Sequence, residues 1–190
     1  MRTFIAISLP EGIKNTLARL QDELRSSNAD VKWVEPANIH LTLKFLGEVS
    51  EDNMSKVRQI LSDTVRQNSA FQLTLNSLGS FPKIESPRVI WAGVAQGDKE
   101  IQTIVKELEE RLDKLGFPRE DKPFSSHITL GRTRSGLNQR ALAAKLAQLK
   151  DYFTKNTAGF TVKEVTLYKS TLTPNGPIYE TLAEESLKTT

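Results

Sequence analysis

One tetrapeptide of alternating character occurs twice in the chain, as His40-Leu41-Thr42-Leu43 and as His127-Ile128-Thr129-Leu130. Each copy begins four residues after a proline, Pro36 and Pro123, and the chain has no other histidine. Successive side chains of a β-strand point to opposite faces, and residues two apart share one. His40 and Thr42 therefore share a face with Leu41 and Leu43 behind them, and His127 and Thr129 share a face while Ile128 and Leu130 pack inward. With hydrophobic residues at 38%, a shuffled chain would follow both histidines by apolar-Thr-apolar with a probability on the order of 10⁻⁴.

A chain of 190 residues suits one compact domain of two lobes that buries roughly 70% of its unfolded surface. The absence of cysteine excludes disulfides, thiol catalysis and Cys-based zinc sites. The opening apolar run is too short for a signal peptide, and no stretch of about 18 apolar residues offers a membrane span, so a cytoplasmic, monomeric protein is expected. A net charge of +3 is compatible with a phosphate-bearing ligand but falls short of a dedicated nucleic-acid coat. Its distribution says more: Arg119, Lys122, Arg132 and Arg134 flank the second motif, Lys44 has the strand parity of His40, and Lys83 and Arg88 bracket the middle of the chain.

Periodicity places the elements. Phe4 to Leu9 reads as a buried strand, and Ile13, Leu17, Leu20 and Leu24 form a helical stripe from Glu11 to about Ser26. An extended piece at Val31 to Val34 leads to the first motif strand, Ile39 to Leu46. Ser50 suits an N-cap for a helix reaching Asn68, and Phe71 to Leu78 alternates as a strand. Gly79 to Arg88, with two prolines, reads as the connection between halves. Val89 to Val94 is a strand, and Asp98 to Leu115 a helix capped by Gly116, with Glu107, Glu109 and Glu110 on its solvated face. The loop Phe117 to Ser126 delivers the second motif strand, and Leu137 to Lys150 is a helix. Phe160 to Leu172 alternates with a change of phase near Glu164, and a turn at Thr173 to Pro177 joins it to a strand at Ile178 to Leu182.

The order strand, helix, His strand, helix, strand appears in each half, with the motifs 87 residues apart (127 minus 40). Residues 1–190 thus read as one domain built from a duplicated β-α-β-α-β unit. Two lobes related by an approximate two-fold axis would set His40 and His127 face to face across a cleft.

Two facing imidazoles suit a reaction that takes one proton and gives another, because the ordinary histidine pKa near 6.5 keeps both forms available at neutral pH. A threonine hydroxyl beside each can donate to an oxyanion that stays charged throughout, which describes a phosphate better than an acyl group. In-line displacement at phosphorus also needs its entering and leaving oxygens on opposite sides, as histidines on opposite walls provide. Phosphodiester cleavage is therefore expected. The ligand inventory, two histidines on separate strands with no motif Asp or Glu, argues against a metal site. No carboxylate is placed to orient a histidine for covalent catalysis, and no Walker-type loop supports ATP chemistry.

The pair His40-Leu41-Thr42-Leu43 and His127-Ile128-Thr129-Leu130 resembles the signature of the two-histidine phosphoesterase superfamily. The opening R-T-F-I-A-I-S-L-P, then K-W-V-E-P-A-N-I-H-L-T-L-K-F-L-G-E-V and S-H-I-T-L-G-R, are similar to RNA 2',3'-cyclic phosphodiesterases, also called 2'-5' RNA ligases. The likeness covers nearly the whole chain. It implies a bilobal α+β fold with two antiparallel sheets around a central cleft, helices outside, and no cofactor. It further implies metal-free hydrolysis of RNA 2',3'-cyclic phosphate ends to 2'-phosphomonoesters, with weak reverse joining of tRNA halves. His40 would then be the proton donor and His127 the proton acceptor, with Thr42 and Thr129 on the phosphate oxygens. Arg132, directly after the second motif, is a further phosphate contact, and Phe45 and Phe124 are candidates to face a base, although Phe45 has the parity of the core leucines. Two alternatives stand beside this reading: a phosphodiesterase of a small cyclic phosphate, and an RNA-end binding module without the chemistry.

Overall fold

A computed structural model describes residues 1–189. The elements in chain order are β1 (Arg2–Ser8), α1 (Glu11–Arg25), β2 (Val31–Trp33), a 3₁₀ turn (Pro36–Asn38), β3 (His40–Glu48), α2 (Glu51–Val65), β4 (Phe71–Lys83), β5 (Ser86–Val94), α3 (Asp98–Asp113), β6 (His127–Thr133), α4 (Gln139–Gln148), α5 (Tyr152–Lys155), β7 (Ala158–Val162), β8 (Glu164–Thr173) and β9 (Gly176–Ser186). They form two antiparallel sheets, β3-β1-β8-β9 and β2-β6-β5-β4-β7. The fold is bilobal and α+β, as expected. No helix among the described residues is long and apolar enough to cross a membrane.

The helices sit where their apolar stripes require. Ile13, Leu17, Leu20 and Leu24 of α1 are buried, as are Ile101, Ile104, Val105, Leu108 and Leu112 of α3. α2 and α3 pack on each other and against the first sheet, through β8, β9 and β3, while α1, α4 and α5 serve the second. Ser50 caps α2 by accepting from the Asn53 N–H, and Gly116, at φ 94°, lets the Phe117 N–H reach back to the Leu112 carbonyl at 3.0 Å.

The lobes are not the sequential halves of the chain. β4 pairs with β5 in the second sheet, and β8 pairs with β1 in the first, so the final strand of each β-α-β-α-β stretch lies in the other stretch's sheet. The segment expected to connect halves, Gly79 to Arg88, is instead the end of a long β4–β5 hairpin. Pro82 and Pro87 stand opposite each other there, beyond the reach of β6 and β7, where a missing N–H removes no ladder bond to a third strand. Gly79 is required inside this hairpin because the Trp91 ring lies across it, 2.4 Å from where a Cβ would stand. The change of phase near Glu164 marks the passage from β7 to β8, that is, from one sheet to the other. The helix read over 137–150 is shorter than expected, and α5 follows it without having been foreseen.

A bulge interrupts each motif strand at the same place. In β3 the partners step from Ala6↔Thr42 to Ile5↔Lys44, and in β6 from Trp91↔Thr129 to Ile90↔Gly131, leaving Leu43 and Leu130 as the extra residues. The parity of the residues that follow is reversed, in β3 as far as a second bulge at Leu46. Lys44, expected beside His40 and Thr42, is buried, and Phe45 is 57% exposed. Lys44 Nζ pairs with Glu109 Oε1 at 2.8 Å and donates to the Pro118 carbonyl at 2.6 Å, so Glu109 is not the solvated surface acid its helix position suggested.

Candidate active site

His40 and His127 are the first residues of β3 and β6, two strands of different sheets that run in contact. Before each strand, the residue two before the histidine presents its backbone carbonyl to that histidine, from the 3₁₀ turn begun by Pro36 in the first motif and from an irregular stretch after Pro123 in the second. His40 Nδ1–H donates to the Asn38 carbonyl and His127 Nδ1–H to the Ser125 carbonyl, each at 2.7 Å. A carbonyl can only accept, so both neutral imidazoles carry their proton on Nδ1 and leave Nε2 as the basic nitrogen. The same working atom is thus presented twice. The Thr42 hydroxyl donates to His40 Nε2 at 2.9 Å, and Thr129 stands two residues beyond His127 on the same half-exposed face.

The settings of the two histidines differ. The His40 ring packs on Phe4 at 4.9 Å between centroids and meets the edge of Tyr179 at 5.4 Å. This burial pushes its pKa below the ordinary value near 6.5; the bond to the Asn38 carbonyl opposes the shift, and the nearby Lys14 ammonium adds to it. His127 meets Phe81 edge-on at 5.2 Å, and Phe81 in turn packs against Trp91.

A cleft of about 1080 Å³ lies between the sheets. It adjoins the first motif through Phe4, Asn38 and Tyr179, each in contact with His40, and Arg132 of β6 lines its far wall. Arg132 and Phe45 occupy the same position in the two motifs, five residues after the histidine, and both are exposed because of the bulges. Phe124, by contrast, packs against the core, and its carbonyl accepts from Gln102 at 3.1 Å. The residues that sequence reasoning missed are Asn38 and Ser125, which act through backbone carbonyls, and the aromatic neighbours Phe4, Tyr179 and Phe81. The first pair carried a signal, both lying two residues before a histidine that follows proline by four. The aromatic set carried none, since it comes from strands distant in sequence.

Buried Gln21 ties the two motif regions together. Its Nε2 donates to the Val34 carbonyl at 2.8 Å and the Leu130 carbonyl at 2.9 Å, linking α1 to the lead-in of the first motif and to the strand of the second. The arrangement as a whole offers two tautomer-fixed imidazoles, two hydroxyls and a free guanidinium, a set able to bind an anion while moving two protons.

The chain is similar over nearly its full length to proteins named RNA 2',3'-cyclic phosphodiesterase. That of Methanocaldococcus jannaschii is 38% identical over 184 residues, covering 97% of this chain and 99% of that protein. That of Methanothermobacter thermautotrophicus is 35% identical over 179 residues, covering 94% and 95%. Among solved structures, a Thermus thermophilus protein superposes with a TM-score of 0.80 at 28% identity, covering 98% of each chain. Escherichia coli LigT in complex with 3'-AMP superposes with a TM-score of 0.74 at 26% identity, covering 98% of this chain and 97% of that one. The family model described as LigT like Phosphoesterase matches residues 7–91 and 93–179. With both histidine motifs inside the matched segments, the chain belongs to the LigT-like phosphoesterase family.

Proposed function

We propose that this protein hydrolyses the 2',3'-cyclic phosphate end of RNA to a 2'-phosphomonoester, with His40 and His127 as the acid–base pair. The observation that carries this reading is the repeated bond from Nδ1–H to a carbonyl two residues upstream, which leaves two matched Nε2 atoms on strands in contact. Full-length relatives named for this activity supply the substrate class. Water attacks phosphorus and gives its proton to His127 Nε2. The bond from phosphorus to the 3'-oxygen breaks, and His40 Nε2–H protonates that oxygen. Thr42, Thr129 and Arg132 hold the non-bridging oxygens, whose negative charge persists through the reaction.

His40 is neutral in the free protein near pH 7 because its pKa lies below the ordinary value. To act as donor it must gain a proton when the anionic phosphate binds, since a negative charge beside an imidazole raises its pKa. The same lowered pKa favours a second reading in which His40 is the acceptor and His127 the donor. The reverse reaction, joining tRNA halves through a 2'-5' linkage, would use the same pair with exchanged roles. The expected setting is a monomer in the cytoplasm.

The test is to incubate the protein, with excess chelator, with a short RNA ending in a 2',3'-cyclic phosphate and to locate the phosphate of the product. A 2'-phosphate is expected. A 3'-phosphate would show that the other oxygen leaves, and no product would remove the reading.

A further inference from the structure

One polar residue interrupts the apolar stripe that α1 turns inward. Gln21 is 1% exposed among the buried Leu17, Leu20 and Leu24. Its Nε2 directs both N–H groups to carbonyls, while its Oε1 is buried with no partner among the described residues. A buried amide oxygen without a donor is unfavourable, and an apolar side chain would complete the stripe without leaving one. Stability alone is therefore a poor account of Gln21, and the place where its two bonds end carries the argument.

Both bonds converge on the bulge of the second motif strand. Leu130 is the extra residue of that bulge, and Arg132 follows two residues later. The Leu130 carbonyl accepts from Gln21 and from the Val34 N–H, each at 2.9 Å, and the Val34 carbonyl accepts the second Gln21 bond at 2.8 Å. An inserted residue is released from the ladder, so a bulge is where a strand can be re-aimed. Here the released residue is held by a buried side chain of α1 and by the lead-in to the first motif. Gly131, next in the chain, is closed in by Val31 and Trp33, whose side chains lie 2.8 and 2.9 Å from where a Cβ would stand. Leu130 and Gly131 are thus both fixed, and Arg132 is turned out of β6 as an exposed side chain that lines the cleft. The first motif has no such tie: among the described residues no side chain donates to the carbonyl of its extra residue, Leu43, and its bulge turns outward Phe45, which carries no charge to aim.

We propose that Gln21 is a positioning residue for the phosphodiesterase: by fixing the β6 bulge it sets the direction from which Arg132 meets the phosphate. The inference deepens the phosphodiesterase reading and rests on it. Gln21 acts only through Leu130 and Gly131. Because the non-bridging oxygens are charged both in the bound substrate and in the transition state, a misaimed Arg132 weakens the two states alike. The loss then falls on KM and leaves kcat nearly unchanged. Both histidines, held by their own carbonyls, keep their titrations.

The experiment is a double-mutant cycle of Q21M and R132A on the full chain. It reads kcat, KM and their pH dependence with an RNA ending in a 2',3'-cyclic phosphate, and the Kd for inorganic phosphate. Methionine keeps the length of Gln21 and removes both its donors and its orphan oxygen. Q21M should raise KM and the phosphate Kd about tenfold, within the roughly 10²-fold that a misplacement of about 1 Å can cost, with kcat and the pH profile close to the parent's. In the R132A background the same replacement should change both constants less than about twofold, since no guanidinium is left to aim. Q21L, which completes the apolar stripe, should repeat the pattern. An equal loss in both backgrounds, which poor folding would also produce, would overturn the inference. So would a fall in kcat at unchanged KM, or an R132A protein that binds phosphate as tightly as the parent. The phosphate measurement does not depend on turnover: a cycle that holds for phosphate in a protein that hydrolyses no cyclic-phosphate end would keep Gln21 as the residue that aims Arg132 and overturn the phosphodiesterase reading instead.

Discussion

A neutral imidazole has one donor and one acceptor nitrogen, and its partner at one decides what the other can do. The carbonyls of Asn38 and Ser125 settle that question identically for His40 and His127, so neither histidine needs a carboxylate to orient it. What separates them is surroundings: His40 is pressed against Phe4 and Tyr179, which disfavours its charged form. The ring protons of His40, followed by NMR in the free protein, should titrate below pH 6.5. The profile of kcat/KM reports the free enzyme, and its limb at that same value assigns the role. If His40 donates the proton, activity falls as pH rises through its pKa; if it accepts the proton, activity rises. The account expects a falling limb in kcat/KM that moves to higher pH in kcat, because the bound phosphate restores the proton to His40. A limb at an unshifted position in both would contradict it.

At the scale of elements, the two bulges after Thr42 and Thr129 decide which side chains face the cleft. Strand alternation was legible through the motifs and put His40 with Thr42 and His127 with Thr129 on one face of each strand, half-exposed, with Leu41 and Ile128 buried behind them. It misplaced Lys44 and Phe45, because an inserted residue reverses parity and leaves no mark in the hydrophobic pattern. Lys44 became an internal tie: Glu109 receives its ammonium on Oε1 and the Glu120 N–H on Oε2, while Lys44 also holds the Pro118 carbonyl. The first motif strand is thereby fastened to the loop that delivers His127. Replacing Lys44 by Met leaves Glu109 and a carbonyl without their buried cation and should destabilise the protein by about 3–5 kcal/mol. K44M/E109L should recover most of that loss, a comparison that chemical denaturation makes directly. A K44M protein as stable as the parent would remove the tie from the account.

At the scale of the whole molecule, the helices and caps were legible because their stripes and end signals are local, as Ser50 and Gly116 illustrate. The exchange of β4 and β8 between sheets was not, since pairing partners far apart in sequence leave no local trace. Gly79, Pro82 and Pro87 looked like a linker for the same reason: each is permitted only by its place in the hairpin, under the Trp91 ring or beyond the third strand. The exchange has a consequence. A chain cut in the β4–β5 turn yields segments 1–84 and 85–190, in which β4 has lost both neighbours and β8 has lost β1. Neither segment should fold alone, and the two together should recover cooperative unfolding, as circular dichroism and amide dispersion would report. A folded single segment would show that the halves are independent lobes after all.

The central claim is that two histidines, each set by a carbonyl, move the two protons of phosphodiester hydrolysis. Its most direct test is the turnover of a cyclic-phosphate-ended RNA by H40A, H127A and the double variant, each first shown to keep the parent's fold. Each single replacement should cost about 10²- to 10⁴-fold in kcat, and the double variant should lose little beyond the worse single one, since residues acting as a unit are not additive. Turnover within tenfold of the parent in either single variant would contradict the account.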